Sequence, residues 1–261
     1  MRADRRSARA QVSAEAYDPS AYGRDIAADY DSLYGAIPDT DAAVARLAEL
    51  AGAGPLLELG IGTGRLALPL AAGGLEVHGV EASEEMVREL RRKPGGAEIP
   101  VHVSSFDDYA LEQRFSLVVL ALHTIYGLPT QERQVRCFET AARHLLPGGA
   151  FVIEASLLDV GAFRGGQALR PRFTSAGQVE LQVHRYDPVS QQLDWTNVHL
   201  SNAGVRLNSG RNLYASPHEF DLMARVAGLR LRERWGGWSH EPFTADSARH
   251  VSVYAPRGPL S

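Results

Sequence analysis

The chain has 261 residues, a formal net charge of −4 and a hydrophobic fraction of 44%, values typical of a globular protein with one large domain. The negative charge does not favour a nucleic-acid partner, and no apolar run approaches the roughly 20 residues that span a bilayer. Cys137 is the only cysteine, which excludes an internal disulfide, and we expect a cytoplasmic protein.

The first part of the chain alternates between helical and strand patterns. Residues 1–16 contain four arginines and no apolar segment, so we predict a disordered arm. Residues 17–54 are predicted as an N-terminal helical cap, whose last helix begins near Asp39 and ends at Gly52. Residues 55–156 alternate strand and helix, which predicts a parallel sheet. The predicted strands are 55–59, 75–80, 99–103, 115–121 and 150–155.

The pattern changes after residue 156. Residues 161–177 are rich in Gly, Arg and Pro and are predicted as a loop, whereas 179–186 and 192–201 alternate about a short turn and predict an antiparallel hairpin. Residues 213–215 are a candidate third strand. We assign residues 157–215 to an antiparallel substrate-binding insertion.

Residues 216–261 are predicted to complete the sheet. Ser216 and Pro217 begin a helix, and strands follow at 229–235 and 250–254. The apolar face of this helix is predicted to consist of Phe220, Leu222, Met223 and Val226. The predicted fold is therefore α/β: a Rossmann-like, doubly wound, mostly parallel seven-stranded sheet with an antiparallel insertion after strand five.

Glycines at alternate positions follow the first strand, at Gly60, Gly62 and Gly64. Such a turn lets a ligand approach the backbone and directs helix N–H groups toward it. A dinucleotide site needs glycine at the first, third and sixth positions, but the sixth is Arg65. Glu58 would repel a pyrophosphate and suits a cationic ligand. The spacing therefore favours S-adenosylmethionine (SAM) over NAD, and a NAD-dependent oxidoreductase is the weaker alternative.

An acid also ends the second strand, where Glu81 can accept hydrogen bonds from both hydroxyls of a ribose. This supports a nucleoside without separating SAM from NAD. With the glycine turn, residues 56–71, 79–83 and 144–149 resemble the class I SAM-dependent methyltransferases. Residues 26–34 also resemble their small-molecule branch, which includes glycine and amino-sugar N-methyltransferases.

The resemblance implies a role for each part of the SAM site. Glu58 and the three glycines would border the methionine part, Glu81 would hold the ribose, and Ala82 and Met86 would flank the adenine. The family often has Gly-Asp-Met after strand three, whereas Ser104, Ser105 and Phe106 stand here, so that a hydroxyl replaces the carboxylate or Asp107 reaches the adenine. The expected cofactor residues are Tyr22, Tyr30, Glu58, Gly60, Gly62, Gly64, Glu81, Ala82, Met86, Ser105, Phe106 and Leu122.

Candidate catalytic residues follow strand four, because ligands of open α/β sheets bind at the carboxyl ends of strands. His123 is the first candidate for a base or a substrate contact and Tyr126 the second; a histidine that only lines the pocket is an equal alternative. No metal site is predicted. Aromatic and basic side chains of the variable half suggest an acceptor pocket. The expected acceptor contacts are Tyr34, Trp195, Arg211, Tyr214, Trp238 and His240.

The sequence thus predicts a SAM-dependent methyltransferase that forms S-adenosyl-L-homocysteine and methylates a small molecule. We expect an N-methyltransferase of specialised metabolism, such as antibiotic biosynthesis. O- or C-methylation of an aromatic or indole-type natural product is the alternative, and a non-catalytic SAM-binding module is the alternative from another class. We expect no nucleic-acid or membrane partner and allow for a homodimer.

Overall fold

The first part of the molecule alternates helix and strand, as predicted. The computed structural model describes residues 17–34 and 37–257, so the predicted disordered arm lies outside the described residues. The elements are α1 (Ala21–Ile26), α2 (Tyr30–Tyr34), α3 (Thr40–Ala51), β1 (Leu56–Leu59), α4 (Ala67–Ala72), β2 (Val77–Glu81), α5 (Glu84–Arg91), β3 (Val101–Val103), β4 (Phe115–Leu120), α6 (Gln131–Arg143) and β5 (Leu145–Ser156).

The second part contains more strand than the sequence predicted. Residues 161–177 are not a loop, because they contain a strand whose Pro171 is tolerated at a sheet edge and next to an irregularity in register. The candidate strand at residues 213–215 is wrong, because the last strand of this region ends at Leu213 instead of beginning there. The elements are β6 (Gln167–Ser175), β7 (Gln178–Asp187), β8 (Gln192–Ser201), β9 (Gly204–Leu213), α7 (Pro217–Val226), β10 (Leu229–Trp235) and β11 (Arg249–Pro256).

Seven strands form the main sheet in the order β10-β11-β5-β4-β1-β2-β3, and β6 to β9 form a separate antiparallel sheet. β1, β2, β3, β4 and β5 are parallel, whereas β11 pairs antiparallel with both β5 and β10. The predicted fold, including its antiparallel insertion after strand five, is confirmed. The carboxyl ends of β1, β2, β4 and β5 meet at one edge, called the site edge below, and β11 begins there.

The central strands are buried on both faces, which explains their almost continuously apolar sequences. Residues 117–120 of β4 have no exposed surface. One core cluster packs this sheet against α6 and α7, and the other packs it against α3 and α4. A capping box at Ser216 begins α7. Its predicted apolar face is partly wrong, because Leu222 and Val226 are exposed while Phe220 and Met223 are buried.

The separate sheet has two chemically different faces. Residues paired directly across antiparallel strands share a face, so Gln182, Asn197 and Asn208 lie together with His184, Trp195 and Gly210; we call this the inner face. It contacts the N-terminal segment, where Trp195 meets the Tyr22 ring edge-on at 6.3 Å and Arg206 pairs with Asp29 at 3.2 Å. The outer face mixes apolar side chains such as Leu181, Val198 and Leu207 with polar pairs such as Thr196 and Ser209.

In the described part of the chain, no helix combines the length and apolar character needed to cross a bilayer.

Candidate functional site

The glycine turn after β1 leaves an open cavity at the site edge. Gly60 and Gly62 have φ angles of 68° and 55°, which glycine adopts without strain. A Cβ on Gly62 would meet no atom nearer than 3.9 Å, so it would project into free space. Gly64 differs, because a Cβ there would lie 2.4 Å from Leu90 of α5. Gly64 therefore allows close packing rather than ligand approach.

Several predicted cofactor residues line this cavity together. Tyr30, Glu58, Gly60, Gly62 and Leu122 contribute to its walls. The structure thus brings together the N-terminal segment, the end of β1 and the residues after β4, as the predicted topology requires. The cavity is completed by Ile61, Thr63, Arg65, Ala121 and Thr124.

Glu58 places a buried carboxyl group in the wall of the cavity. Its carboxyl group is buried and accepts a hydrogen bond from the Ala67 N–H, but its second oxygen has no partner among the described residues. Burial raises the pKa of Glu58 to about 8, although the positive charge of Arg65 opposes this shift. A buried acid with a free oxygen is unfavourable without a positive partner. The cavity is therefore suited to a ligand with an ammonium or sulfonium group.

Glu81, at the end of β2, holds the glycine turn through hydrogen bonds to its side chain. One of its oxygens accepts from the Gly62 N–H at 2.9 Å and the other from the Ser83 N–H at 2.9 Å. Burial raises the pKa of Glu81. Beside it, Ala82 is half-buried, whereas Met86 is buried against α1 and the residues that follow α1. The predicted ribose and adenine contacts therefore lie next to one another along β2 and α5.

The residues after β3 form a tight ionic cluster. Asp107 is fully buried, and its oxygens accept from Arg133 at 2.7 and 2.8 Å and from Arg136 at 2.9 Å. Ser105 also donates to it, and Phe106 is half-buried against the neighbouring core. Because these partners hold both oxygens, we no longer expect Asp107 to reach an adenine.

The end of β4 has a strained backbone. Leu122 and His123 have φ angles of 52° and 61°, which residues with a side chain rarely adopt. Glu154 of β5 holds this turn, since its carboxylate accepts from the Leu122 N–H at 3.0 Å and its carbonyl accepts from the His123 N–H at 3.2 Å. Such strain clusters at functional sites. Sequence reasoning missed Glu154, although an acid inside an apolar strand was a usable signal.

His123 is held in a desolvated position. Burial lowers the pKa of His123, while Glu154 raises it and Arg249 lowers it. Its Nδ1 atom is buried without a partner among the described residues. Arg249, which sequence reasoning also missed, pairs with Glu154 at 3.2 Å and with Asp39.

Tyr126 lies in the core rather than in the cavity. Its hydroxyl lies 2.7 Å from the Ser156 carbonyl and 3.2 Å from the Ala215 carbonyl, and its ring stacks on Phe220. Tyr214 packs beside it at 5.4 Å. The structure therefore does not bring Tyr126 to the cavity.

The predicted acceptor contacts are scattered. Trp195 lies on the inner face, where its ring covers Gly210, while Arg211 lies on the outer face and pairs with Asp194. Trp238 is buried in the core beside α3, and the His240 ring packs at a tilt against Trp235, with ring centroids 4.0 Å apart. The structure does not bring Arg211, Trp238 and His240 together with Trp195. Tyr34 ends α2, and its side chain lies outside the described part of the structure.

Hydrogen bonds and an ion pair connect the N-terminal segment to the cavity wall. The Thr63 hydroxyl donates to Asp31 at 2.6 Å, and Lys93 bridges Asp31 at 2.6 Å and the Thr63 carbonyl at 2.7 Å. Sequence reasoning missed both Asp31 and Lys93. The signal for Lys93 was that the chain contains no other lysine.

No group of three or more His, Cys, Asp or Glu side chains is placed to hold a metal ion within residues 17–34 and 37–257.

Comparison with known proteins places this site in context. The family described as "Methyltransferase domain" matches residues 56–149. The solved CcbJ methyltransferase from Streptomyces caelestis is 40% identical and superposes with a TM-score of 0.86, covering 93% of this chain and 100% of that protein.

Two curated relatives match most of the chain. The cypemycin N-terminal methyltransferase of a Streptomyces species is 28% identical over 203 residues, which is 76% of this chain and 81% of the relative. The dTDP-3-amino-3,6-dideoxy-alpha-D-glucopyranose N,N-dimethyltransferase of Streptomyces fradiae is 28% identical over 245 residues, 87% and 92% respectively.

The open space at Gly62 can be tested directly. We expect Gly62→Val to abolish SAM binding in calorimetry, because the new side chain would project into the cavity. The matched control is Gly74→Val, since Gly74 also has positive φ and free space but lies in the turn after α4. The control is expected to lose stability yet bind SAM; wild-type affinity in Gly62→Val would contradict the assignment.

The Asp107 cluster makes a prediction about stability and pH. Burial raises the pKa of Asp107, but the hydrogen bonds from Arg133, Ser105 and Arg136 outweigh it, and the pKa lies below the ordinary 3.8. Stability from a lowered pKa is present above the ordinary value and is lost as the pH falls through the lowered one. We expect Asp107→Asn to lose roughly 2 kcal/mol at neutral pH, a value reduced for the partly exposed arginines.

Urea denaturation at several pH values measures this effect. The difference between wild type and Asp107→Asn should shrink at acid pH, while the exposed neighbour variant Asp108→Asn should change little. An equal loss at every pH would show that packing rather than charge supports the cluster.

Proposed function

The chain belongs to the class I SAM-dependent methyltransferases, and from this premise we propose that it methylates an amine nitrogen of a small-molecule acceptor. It is an enzyme, and SAM is its cofactor; solved proteins of this fold include complexes with SAM and with S-adenosyl-L-homocysteine. The transfer to nitrogen, the acceptor class and a place in specialised metabolism are the parts that we propose.

The free oxygen of Glu58 in the cavity is the observation that supports SAM as the methyl donor. A cationic donor would supply the positive charge that this buried carboxyl group lacks, and binding would favour its ionised form. A pyrophosphate would instead leave the carboxyl group of Glu58 protonated and would gain no charge attraction from it. The cavity therefore favours SAM over a dinucleotide on physical grounds.

The proposed cofactor site follows the cavity wall. Glu58 and the turn at Gly60 and Gly62 would hold the methionine part, and Glu81 would hold the ribose. Ala82, Met86, Ser105 and Phe106 would surround the adenine. When bound, SAM supplies an electrophilic methyl group, and the chain has to orient the acceptor and exclude water.

We propose that the inner face of the separate sheet contacts the molecule that accepts the methyl group. Gln182 donates to Asn197 at 3.2 Å, and the Trp195 indole donates to Asn212 at 3.3 Å. Amide side chains both donate and accept, so they suit hydroxyl or amide groups, while the Trp195 ring offers a flat apolar surface. This combination supports a polar ring or a peptide-like acceptor.

Relatives add support for an amine. The Streptomyces fradiae relative is by name an N,N-dimethyltransferase of an amino sugar, and the cypemycin relative is by name an N-terminal methyltransferase. We infer that the acceptor here is an amino sugar or an aminoacyl compound of specialised metabolism, such as an antibiotic precursor. The homodimer stays a prediction.

Methyl-labelled SAM tests the reaction itself. We expect label transfer to an amine among a panel of amino sugars, aminoacyl compounds, phenols and indoles, with release of S-adenosyl-L-homocysteine. Mass spectrometry of the product identifies the methylated atom, and a carbon or oxygen position would contradict N-methylation. SAM binding without transfer to any member of the panel would favour the non-catalytic module.

His123 makes the second prediction for the reaction. We expect His123→Ala to keep SAM affinity and lower turnover, by about tenfold if His123 only orients the acceptor through a hydrogen bond and by about 10²–10⁴ if it accepts a proton. The companion His123→Asn tolerates the positive φ angle and separates side-chain loss from backbone strain. Unchanged turnover in both variants would reduce His123 to a pocket-lining residue.

A further inference from the structure

The separate sheet turns its polar face toward the rest of the chain and its more apolar face away from it. Cross-strand pairing places Glu180, His199 and Arg206 beside the amide residues of the inner face. This face contacts the N-terminal segment through Arg206 and Trp195. An antiparallel sheet with one solvated face normally turns its apolar side to the protein and its polar side to water. The arrangement in the single chain is therefore the reverse of the usual one.

Cross-strand pairing orders the outer face from an apolar end to a charged end. Two rows of directly paired residues on β7, β8 and β9 are entirely apolar, and we call them the apolar patch: Val179, Leu200, Val205, Leu181, Val198 and Leu207. The next row joins Val183 to Thr196 and Ser209, whose hydroxyl groups bond to each other at 2.8 Å. The row after that is charged and contains the ion pair of Asp194 and Arg211. The charges of this face thus stand at one end, away from the patch.

The patch is open to water, most of all along the edge strand β9. Val205 is 67% exposed and Leu207 is 62% exposed, and the neighbouring Leu169 of β6 is 62% exposed as well. The hydrophobic core clusters formed by the described residues include no member of the patch. A contiguous apolar area at a protein surface marks a site of association.

The parts of the chain outside the described residues offer no matching cover for the patch. Their large apolar residues are Met1, Val12 and Leu260 alone. Residues 1–16 instead contain four arginines, and arginine side chains favour water over an apolar surface. A cover that matches the patch in chemistry therefore has to come from another molecule.

A second copy of the chain fits this surface. The cores of homodimer interfaces are apolar and poor in charged residues, and a two-fold axis sets a patch of one copy against the same patch of the other. A different protein would be selected by complementary charges, which the patch lacks. Strand spacings of about 4.8 Å and residue spacings of about 3.4 Å give the uncharged part of the four-stranded face an area on the order of 400 Å². Side-chain relief and a polar rim raise this toward the roughly 800 Å² that each partner buries in an ordinary stable interface.

We propose that the chain forms a two-fold homodimer in which the apolar patches of the two separate sheets pack face to face. Sheets that pack in this way lie about 10 Å apart, with their strands aligned to within about 30°. The inner faces stand on the outer sides of this sandwich, so the proposed acceptor contacts of each copy stay accessible. The contact uses only the outer faces and is independent of the acceptor.

Sedimentation velocity of the full chain tests the stoichiometry, and we expect the mass of two chains at micromolar concentration. Leu207→Lys would bury a charge from each copy in an apolar contact, so the dimer dissociation constant should rise by roughly 100-fold or more. The matched control is Leu222→Lys on α7, because Leu222 is 56% exposed and lies outside the separate sheet. A monomeric wild type, a dimer that Leu207→Lys leaves intact, or one that Leu222→Lys disrupts equally would overturn the proposal.

Thiol labelling locates the contact without adding a charge. Cys137 is buried, and burial raises the pKa of its thiol, so a cysteine introduced at the surface is the reactive one. We expect a maleimide to react at least about tenfold more slowly with Leu207→Cys than with Leu222→Cys, because the interface shields the first position. Equal rates in a dimer would put the interface elsewhere, and protection of Leu207→Cys in a monomer would mean that the same chain covers the patch. Either result would overturn the proposal.

A conservative variant protects these tests against misfolding. Leu207→Met keeps an apolar side chain and should keep the dimer, so that dissociation of Leu207→Lys is due to its charge. Thermal stabilisation by S-adenosyl-L-homocysteine checks that each variant is folded. The labelled-SAM panel is a separate test: a shielded dimer that transfers no methyl group would reject the proposed function and leave the interface standing.

Discussion

A buried carboxyl group with one unpaired oxygen is the constraint on which the site depends. Glu58 lies next to the last residue of β1 inside the fold, where burial raises its pKa to about 8 and one oxygen has no partner among the described residues. A core position of this kind normally favours an apolar side chain. The turn at Gly60 and Gly62 leaves space beside the acid, so that a cation can approach it. A positively charged ligand in this space would relieve the unfavourable burial of the Glu58 carboxyl group.

Acids also hold the other two walls of the site. Glu81 accepts hydrogen bonds from the backbone of Gly62 and Ser83, and Glu154 binds the turn that carries Leu122 and His123. Each acid stands at or near the carboxyl end of a parallel strand, where the edge of the sheet gives access to ligands. The hydrogen bonds of Glu154 support the two residues with positive φ after β4.

The local pattern was enough to predict most strands of the main sheet, because apolar runs, helix caps and the glycine turn are each recognised from neighbouring residues, even though the strands then pair with distant partners such as β1 with β4. The roles of Glu58 and Glu81 in the cofactor site stay predictions. The acceptor side depends on long-range register. Whether Trp195 and Arg211 share a face is decided by the pairing of β8 with β9, and composition does not reveal it. β6 escaped prediction because an exposed edge strand with a proline lacks the expected alternation.

The hydrogen bonds and the ion pair that join Asp31, Thr63 and Lys93 have a practical consequence for anyone who immobilises or labels this protein. Lys93 is the only lysine, so reagents that attack primary amines have a single side-chain target, and that target touches a wall of the cofactor cavity. Acylation there would remove the charge that meets Asp31. Amine coupling through Lys93 would therefore anchor the chain beside the cavity under measurement.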